Sequence, residues 1–117
     1  MRLLITGWPK TGKTTLSRSL GGGRSTDSTG LSWSDASAEV AKWFDQPGPW
    51  IIEGVAVPRA VRKWLANNPG KQLPVDKIVY LKKLYVPPTN GQMAMGKGLD
   101  AVLREIEPKL GVKIDYL

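Results

Sequence analysis

Eight residues near the start of the chain, Gly7, Trp8, Pro9, Lys10, Thr11, Gly12, Lys13 and Thr14, fit the pattern GxxxxGK[ST]. The chemistry of that spacing is anion binding. A loop of this length can curl so that successive backbone N–H groups point inward at a phosphate, and a side chain at either glycine would obstruct the turn or the close approach. In this pattern the lysine reaches the β and γ phosphates as a point charge, and the following hydroxyl is a ligand for Mg²⁺. Lys13 and Thr14 take those places, and Thr15 is within reach of an α phosphate. The chain has neither histidine nor cysteine. Thiolate metal sites, disulfides and an imidazole base are therefore excluded, and catalysis has to use carboxylates, lysines, arginines or hydroxyls.

Such a loop has to stand between a buried strand and the start of a helix. Leu3, Leu4 and Ile5 form an unbroken apolar run, which suits a strand covered on both faces of a parallel sheet. A helix is expected from Lys13, with Leu16 and Leu20 on one face and Gly21, Gly22 and Gly23 as its stop. A short strand at Arg24 to Thr26 follows. Ser32 or Ser34 caps a helix striped by Ala36, Val40, Trp43 and Phe44. Trp50, Ile51 and Ile52 read as a second buried strand closing on Glu53. Pro58 opens a helix whose core face is Val61, Trp64 and Leu65, and whose other face holds Arg59, Arg62 and Lys63. Val75 to Leu81 is a strand rich in branched and aromatic residues. Thr89 with Gln92 makes a capping box for a helix carrying Met95, Leu99, Val102, Leu103 and Ile106. Gly96 and Gly98 weaken that helix by roughly 1 kcal/mol each, Pro108 marks its end, and Val112 to Tyr116 is a last strand. Strands alternating with helices call for a three-layer α/β/α arrangement around a parallel sheet with right-handed crossovers.

At 117 residues, 41% hydrophobic and 23% charged, the chain has the size and composition of one globular domain spanning residues 1–117. No run approaches the ~20 apolar residues of a membrane span. The N-terminal apolar run has no small-residue cleavage site, so a cytoplasmic protein is expected. The net charge of +7 is concentrated. Seven of the 17 basic residues, against one acid, fall in residues 54–83. That segment suits either a solvated surface or a footprint for phosphate or nucleic acid.

Loop, strand and helix together resemble the P-loop NTPase superfamily. The order of elements is similar to the small P-loop kinases, a group that includes nucleoside monophosphate kinases and shikimate kinase and has small phage-encoded members. The resemblance implies a five-stranded sheet in the order 2-3-1-4-5 and ATP, or another nucleoside triphosphate, with Mg²⁺ as ligands. In such kinases the third strand ends in an acid that helps to hold magnesium, and Glu53 stands there, although the family residue is more often Asp. The second strand commonly ends in an Asp that orients or deprotonates the acceptor, which is the place of Asp27. Arginines of the following helix grip the acceptor, which assigns Arg59 and Arg62 to a small anionic molecule such as a nucleotide. Trp8, inside the loop, is a candidate to shield the phosphates or stack on a ligand ring.

Two departures from the family pattern matter. The lid after the fourth strand shrinks to Leu84 through Thr89 and holds no arginine, so Lys82, Lys83, Lys97 or Arg104 would have to substitute. The sequence also stops at Leu117, where many relatives continue into a loop and helix that enclose the base. The first expectation is a minimal kinase that moves the γ phosphate of ATP to a small anionic acceptor. The alternatives are a nucleotide-regulated binding module for a protein or nucleic-acid partner, and a simple NTPase acting in an oligomer.

Overall fold

The computed structural model describes residues 1–8, 11–26, 32–84 and 86–117, with the backbone alone at Trp33. Its strands are β1 (Arg2–Gly7), β2 (Arg24–Ser25), β3 (Trp50–Glu53), β4 (Lys77–Leu81) and β5 (Ile114–Tyr116). Its helices are α1 (Lys13–Ser19), α2 (Trp33–Trp43), α3 (Val57–Asn67) and α4 (Asn90–Ile106), the last followed by a 3-10 turn at Glu107–Lys109. The five strands pair in parallel in the order β2-β3-β1-β4-β5. This is the three-layer arrangement expected from the alternation of elements. β1 lies at the centre, with Leu4 against Ile52 of β3 on one side and Ile78 of β4 on the other. The loop at its end therefore sits in the middle of the sheet's C-terminal edge, where open parallel sheets bind ligands.

The two layers are unequal. Leu4, Ile52, Ile78 and Tyr80 point to one face and join α2, α3 and α4 in the main core. Leu3, Ile5 and Val79 point to the other, where Leu16 of α1 packs on them. On that second face the β4–β5 side carries an ion pair, Lys77 Nζ to Asp115 Oδ2 at 2.6 Å. Asp115 is thereby held below the usual carboxylate range, chiefly by its bond to Lys77.

Most stripes read from the sequence are core. Ala36, Val40, Trp43 and Phe44 of the α2 region are buried, as are Val61 and Trp64 of α3 and Leu99, Val102, Leu103 and Ile106 of α4. Each large apolar side chain so buried contributes roughly 1.5–3 kcal/mol. Ser32 caps α2 by accepting the Asp35 N–H, and both bonds of the Thr89–Gln92 capping box are present on α4. Two side chains assigned to apolar faces are instead exposed, Leu20 at 52% and Met95 at 36%. Leu20 lies past the end of α1, where the glycine turn lifts it off the sheet. Met95 lies in the second turn of α4, one residue before Gly96, the first buried residue of that helix. β4 starts at Lys77 rather than Val75 because the Val75 N–H bonds back to Leu73 O in a turn.

The glycines of α4 make room for the two elements that carry the loop and the arginines. A Cβ on Gly96 would lie 2.2 Å from the Trp8 ring, and one on Gly98 would lie 3.2 Å from Nη2 of Arg59. Helix propensity alone predicts a gain of about 1 kcal/mol for Gly→Ala in a helix. A substitution at Gly91, whose Cβ would meet nothing nearer than 4.0 Å, should keep a gain of a few tenths to 1 kcal/mol. Gly96→Ala should lose about 2 kcal/mol despite the same propensity term, because it collides with a packed indole. Denaturant unfolding of the two variants checks this reversal of sign.

Candidate functional site

The loop is shaped by the strand beside it. Gly7 has φ 151°, and a Cβ there would lie 2.5 Å from the Leu81 carbonyl at the end of β4. Gly12 adopts the left-handed conformation at φ 85° and forms the N-cap of α1. Both glycines of the pattern are thus required by backbone geometry. With only seven residues in α1, its dipole adds little at the helix start.

Lys13 is almost fully buried, at 8% exposure. Its ammonium donates to the Trp8 carbonyl at 2.8 Å and to the Thr11 hydroxyl at 3.4 Å, while Thr11 Oγ1 donates to the same carbonyl at 2.8 Å. A buried ammonium is stable only with acceptors around it, and the loop supplies them. Thr14, the next residue, donates from Oγ1 to Glu53 Oε2 at 3.2 Å. Glu53 closes β3, adjacent to β1, and is 2% exposed. Its other oxygen, Oε1, is buried without a hydrogen-bond partner, as is the hydroxyl of Thr26 at the end of the neighbouring β2. Parallel pairing puts Ser25 beside Glu53, so the ends of β2 and β3 meet next to the loop. By sequence Thr26 is an ordinary residue at the end of a short strand. Only its burial and lack of a partner mark it.

Of the remaining candidates, Thr15 lies exposed in the first turn of α1. Pro9, Lys10 and Asp27 lie outside the described residues. Arg59 stands in the first turn of α3, at the same end of the sheet as the loop, with its guanidinium against Gly98 of α4. Arg62 is one turn further along α3 and pairs with Glu105 of α4 at 3.4 Å, both side chains about half exposed. An exposed pair of this kind is worth no more than about 1 kcal/mol and leaves the guanidinium available to a stronger anion. Trp8, the candidate to shield the phosphates or stack on a ligand ring, is seated on α4. Its ring packs on Gly96, and its Nε1 donates to Asp100 Oδ2 at 3.0 Å.

Asp100 was not evident in the sequence, because a single acid in a helix looks like a solvated residue. Its second oxygen accepts the Tyr80 hydroxyl of β4. Burial, then the carboxylate beside it, raises the Tyr80 phenol well above its ordinary value. The sign of the linkage is fixed by that direction. The stabilisation is complete below the unfolded tyrosine pKa near 10 and is lost as pH rises beyond it. Tyr80→Phe should therefore cost about 1 kcal/mol at neutral pH and flatten the decline in stability above pH 10, as read by denaturant unfolding across the alkaline range.

The cations of residues 54–83 include Lys77 and Lys82 at opposite ends of β4. Lys77 is paired at the start of β4, and Lys63 donates to the Ser34 carbonyl at 2.9 Å. Lys82, at the other end of β4, lies 4.8 Å from the centre of the Tyr116 ring. Lys82 and Arg104 share a cavity of about 340 Å³ with Tyr80, Asp100 and Tyr116 on the β5 side of α4. A cavity of about 550 Å³ at the opposite end of the sheet is lined by Arg2, Pro49, Leu73 and Asp76. Arg2 there is held by Gly48 O, Pro74 O and the Asp76 carboxylate, which makes it a clamp on the strand starts. Among the described residues no helix is long and apolar enough to cross a membrane.

Compared with known proteins, the chain matches no family model, and no curated protein or solved structure matches it.

Proposed function

We propose that the chain binds ATP, or a related nucleoside triphosphate, with magnesium, and transfers the γ phosphate to a small anionic acceptor. The observation that carries the reading is the contact of Thr14 with Glu53 directly after a buried lysine in a GxxxxGKT loop. Lys13 exchanges the Trp8 carbonyl and Thr11 hydroxyl for β and γ phosphate oxygens. The amides of the loop take the remaining charge. These contacts strengthen as charge moves onto the bridging oxygen, which is how a largely electrostatic site accelerates phosphoryl transfer.

The donor set fits magnesium. Thr14 Oγ1 and the unpartnered Oε1 of Glu53 are hard oxygen ligands. Among the described residues no three His, Cys, Asp or Glu side chains could cage a metal, so the ion needs the phosphates of its ligand as well. When bound, magnesium supplies neutralisation of charge on the β and γ phosphates. Arg59 would hold the acceptor anion, with Arg62 released from Glu105 to assist. Asp27 is the candidate base where the acceptor is a hydroxyl.

A screen of thermal unfolding with nucleotides and magnesium, followed by release of ADP in the presence of nucleotide, sugar-acid and phosphate-bearing acceptors, tests the reading. ADP release that depends on one acceptor class supports transfer. Turnover at the full rate without any acceptor contradicts it and leaves an NTPase. A second reading, a nucleotide-regulated binding module, is favoured by the exposed apolar side chains Val86 in the β4–α4 connection and Met93 and Met95 in the first turns of α4 and by the lack of an arginine in that connection. It predicts tight ATP binding with negligible turnover under every acceptor.

A further inference from the structure

We infer that Asp100 of α4 is a positioning residue for the phosphate-binding loop, acting through Trp8. The inference rests on the triphosphate-binding reading above and adds to it the part of the chain that holds the loop in shape. Trp8 is the pivot of the loop. Its carbonyl is the point on which the Lys13 ammonium and the Thr11 hydroxyl converge, both at 2.8 Å. Its side chain is fixed on a different element. The ring lies on Gly96, where no Cβ could be accommodated, and the indole N–H is taken by Asp100 at 3.0 Å.

Asp100 is itself held. Its other carboxylate oxygen accepts the hydroxyl of Tyr80, a residue of β4 that is 6% exposed and belongs to the main core. A path of three side chains thus runs from the packed sheet to a loop residue that accepts from the lysine. The neighbouring constraint on the loop is backbone: Gly7 sits against the end of the same strand, β4. Strand β4 therefore sets both the base of the loop and, through Tyr80 and Asp100, the seat of Trp8. A loop held before its ligand arrives loses less conformational freedom on binding. Asp100, which touches no phosphate, determines affinity in this way.

The test uses the full chain and two probes, ATP with magnesium and inorganic tripolyphosphate, the second of which has no base to contact. Affinities are measured by titration calorimetry at a temperature where circular dichroism shows each variant folded. Asp100→Ala should weaken both probes by the same factor of about 10, the worth of one charge-assisted hydrogen bond. Trp8→Phe, which removes the N–H but keeps an aromatic ring, should weaken both similarly. The double variant should be no weaker than the weaker single one, because the two residues act as a unit. Asp100→Asn should stay within about threefold of the wild type, since its carbonyl still accepts from Trp8 and its amide donates to the Tyr80 oxygen. Folded Asp100→Ala protein with wild-type affinity overturns the inference, even where its melting temperature has fallen. So does a double variant whose loss is the product of the single losses. If Asp100→Ala does not fold, Trp8→Phe alone decides, with unchanged affinity as the contrary result. A wild-type chain that binds neither probe overturns the triphosphate reading and this inference with it, whereas binding by the wild type with unaltered variants overturns the inference alone.

Discussion

A Lys13→Ala variant should lose affinity for ATP with magnesium by about 100-fold while keeping its fold. The size follows from what the ammonium can offer. It already sits in the loop with its acceptors at 2.8 and 3.4 Å, and a triphosphate replaces these neutral acceptors by charged oxygens. Each bond from the ammonium to a phosphate oxygen is worth about 1.5 kcal/mol more than one to a neutral oxygen, so two give about 3 kcal/mol, or roughly 100-fold. The fold tolerates the change because the Trp8 carbonyl keeps its bond from Thr11 and removal of a nearly buried ammonium returns its cost of desolvation. Stability should change by no more than about 1 kcal/mol. Equilibrium binding of a fluorescent ATP analogue, with thermal unfolding of the same samples, measures both halves. A variant that unfolds, or one that binds as the wild type does, would show that Lys13 serves packing.

Glu53→Gln should move stability and function in opposite directions. Glu53 is 2% exposed, and one of its oxygens has no partner. A buried carboxylate with an unused oxygen is costly, and a neutral amide of the same shape relieves part of that cost. The ligand-free chain should gain about 1 kcal/mol. The same substitution removes the negative charge that faces the Thr14 hydroxyl, so the extra affinity that magnesium confers on ATP should fall by about tenfold or more. Affinity for ATP in the presence of a chelator should hardly change. Polar groups retained at the expense of stability are a mark of function. A chain destabilised by Glu53→Gln, with an undiminished magnesium effect, would make the carboxylate structural.

The fold was legible because its signals were local. Gly7 and the glycine-rich turn after α1 punctuate the apolar runs, the Thr89–Gln92 box sets the start of α4, alternation of strands with helices calls for a parallel three-layer domain, and the strand order came from the family resemblance. What the sequence could not disclose was a set of contacts between distant elements. Gly96 and Gly98 read as weak points in a helix, whereas the structure uses them as clearance for Trp8 and Arg59. Met95 fitted the helical stripe by spacing, yet the contact that begins the buried part of α4 comes one residue later. In the candidate site, Lys13, Thr14 and Glu53 could be named because a motif and a strand end fix their places. Thr26, Tyr80 and Asp100 could not, since a threonine, a tyrosine and an aspartate acquire meaning only from the partner each has or lacks. The seat of Trp8 was hidden for the same reason: its neighbours in sequence are the GxxxxGKT residues, and its neighbour in space is α4.

Titration calorimetry of the wild-type chain with ATP and magnesium tests the central claim most directly. One molecule should bind per chain with a dissociation constant near 10 μM. At 1 mM ligand such affinity should stabilise the fold by about 2.7 kcal/mol, a rise of roughly 10 °C in melting temperature. No heat of binding and no stabilisation by any nucleoside triphosphate at millimolar concentration would contradict the assignment of the Gly7–Thr15 loop as a triphosphate site.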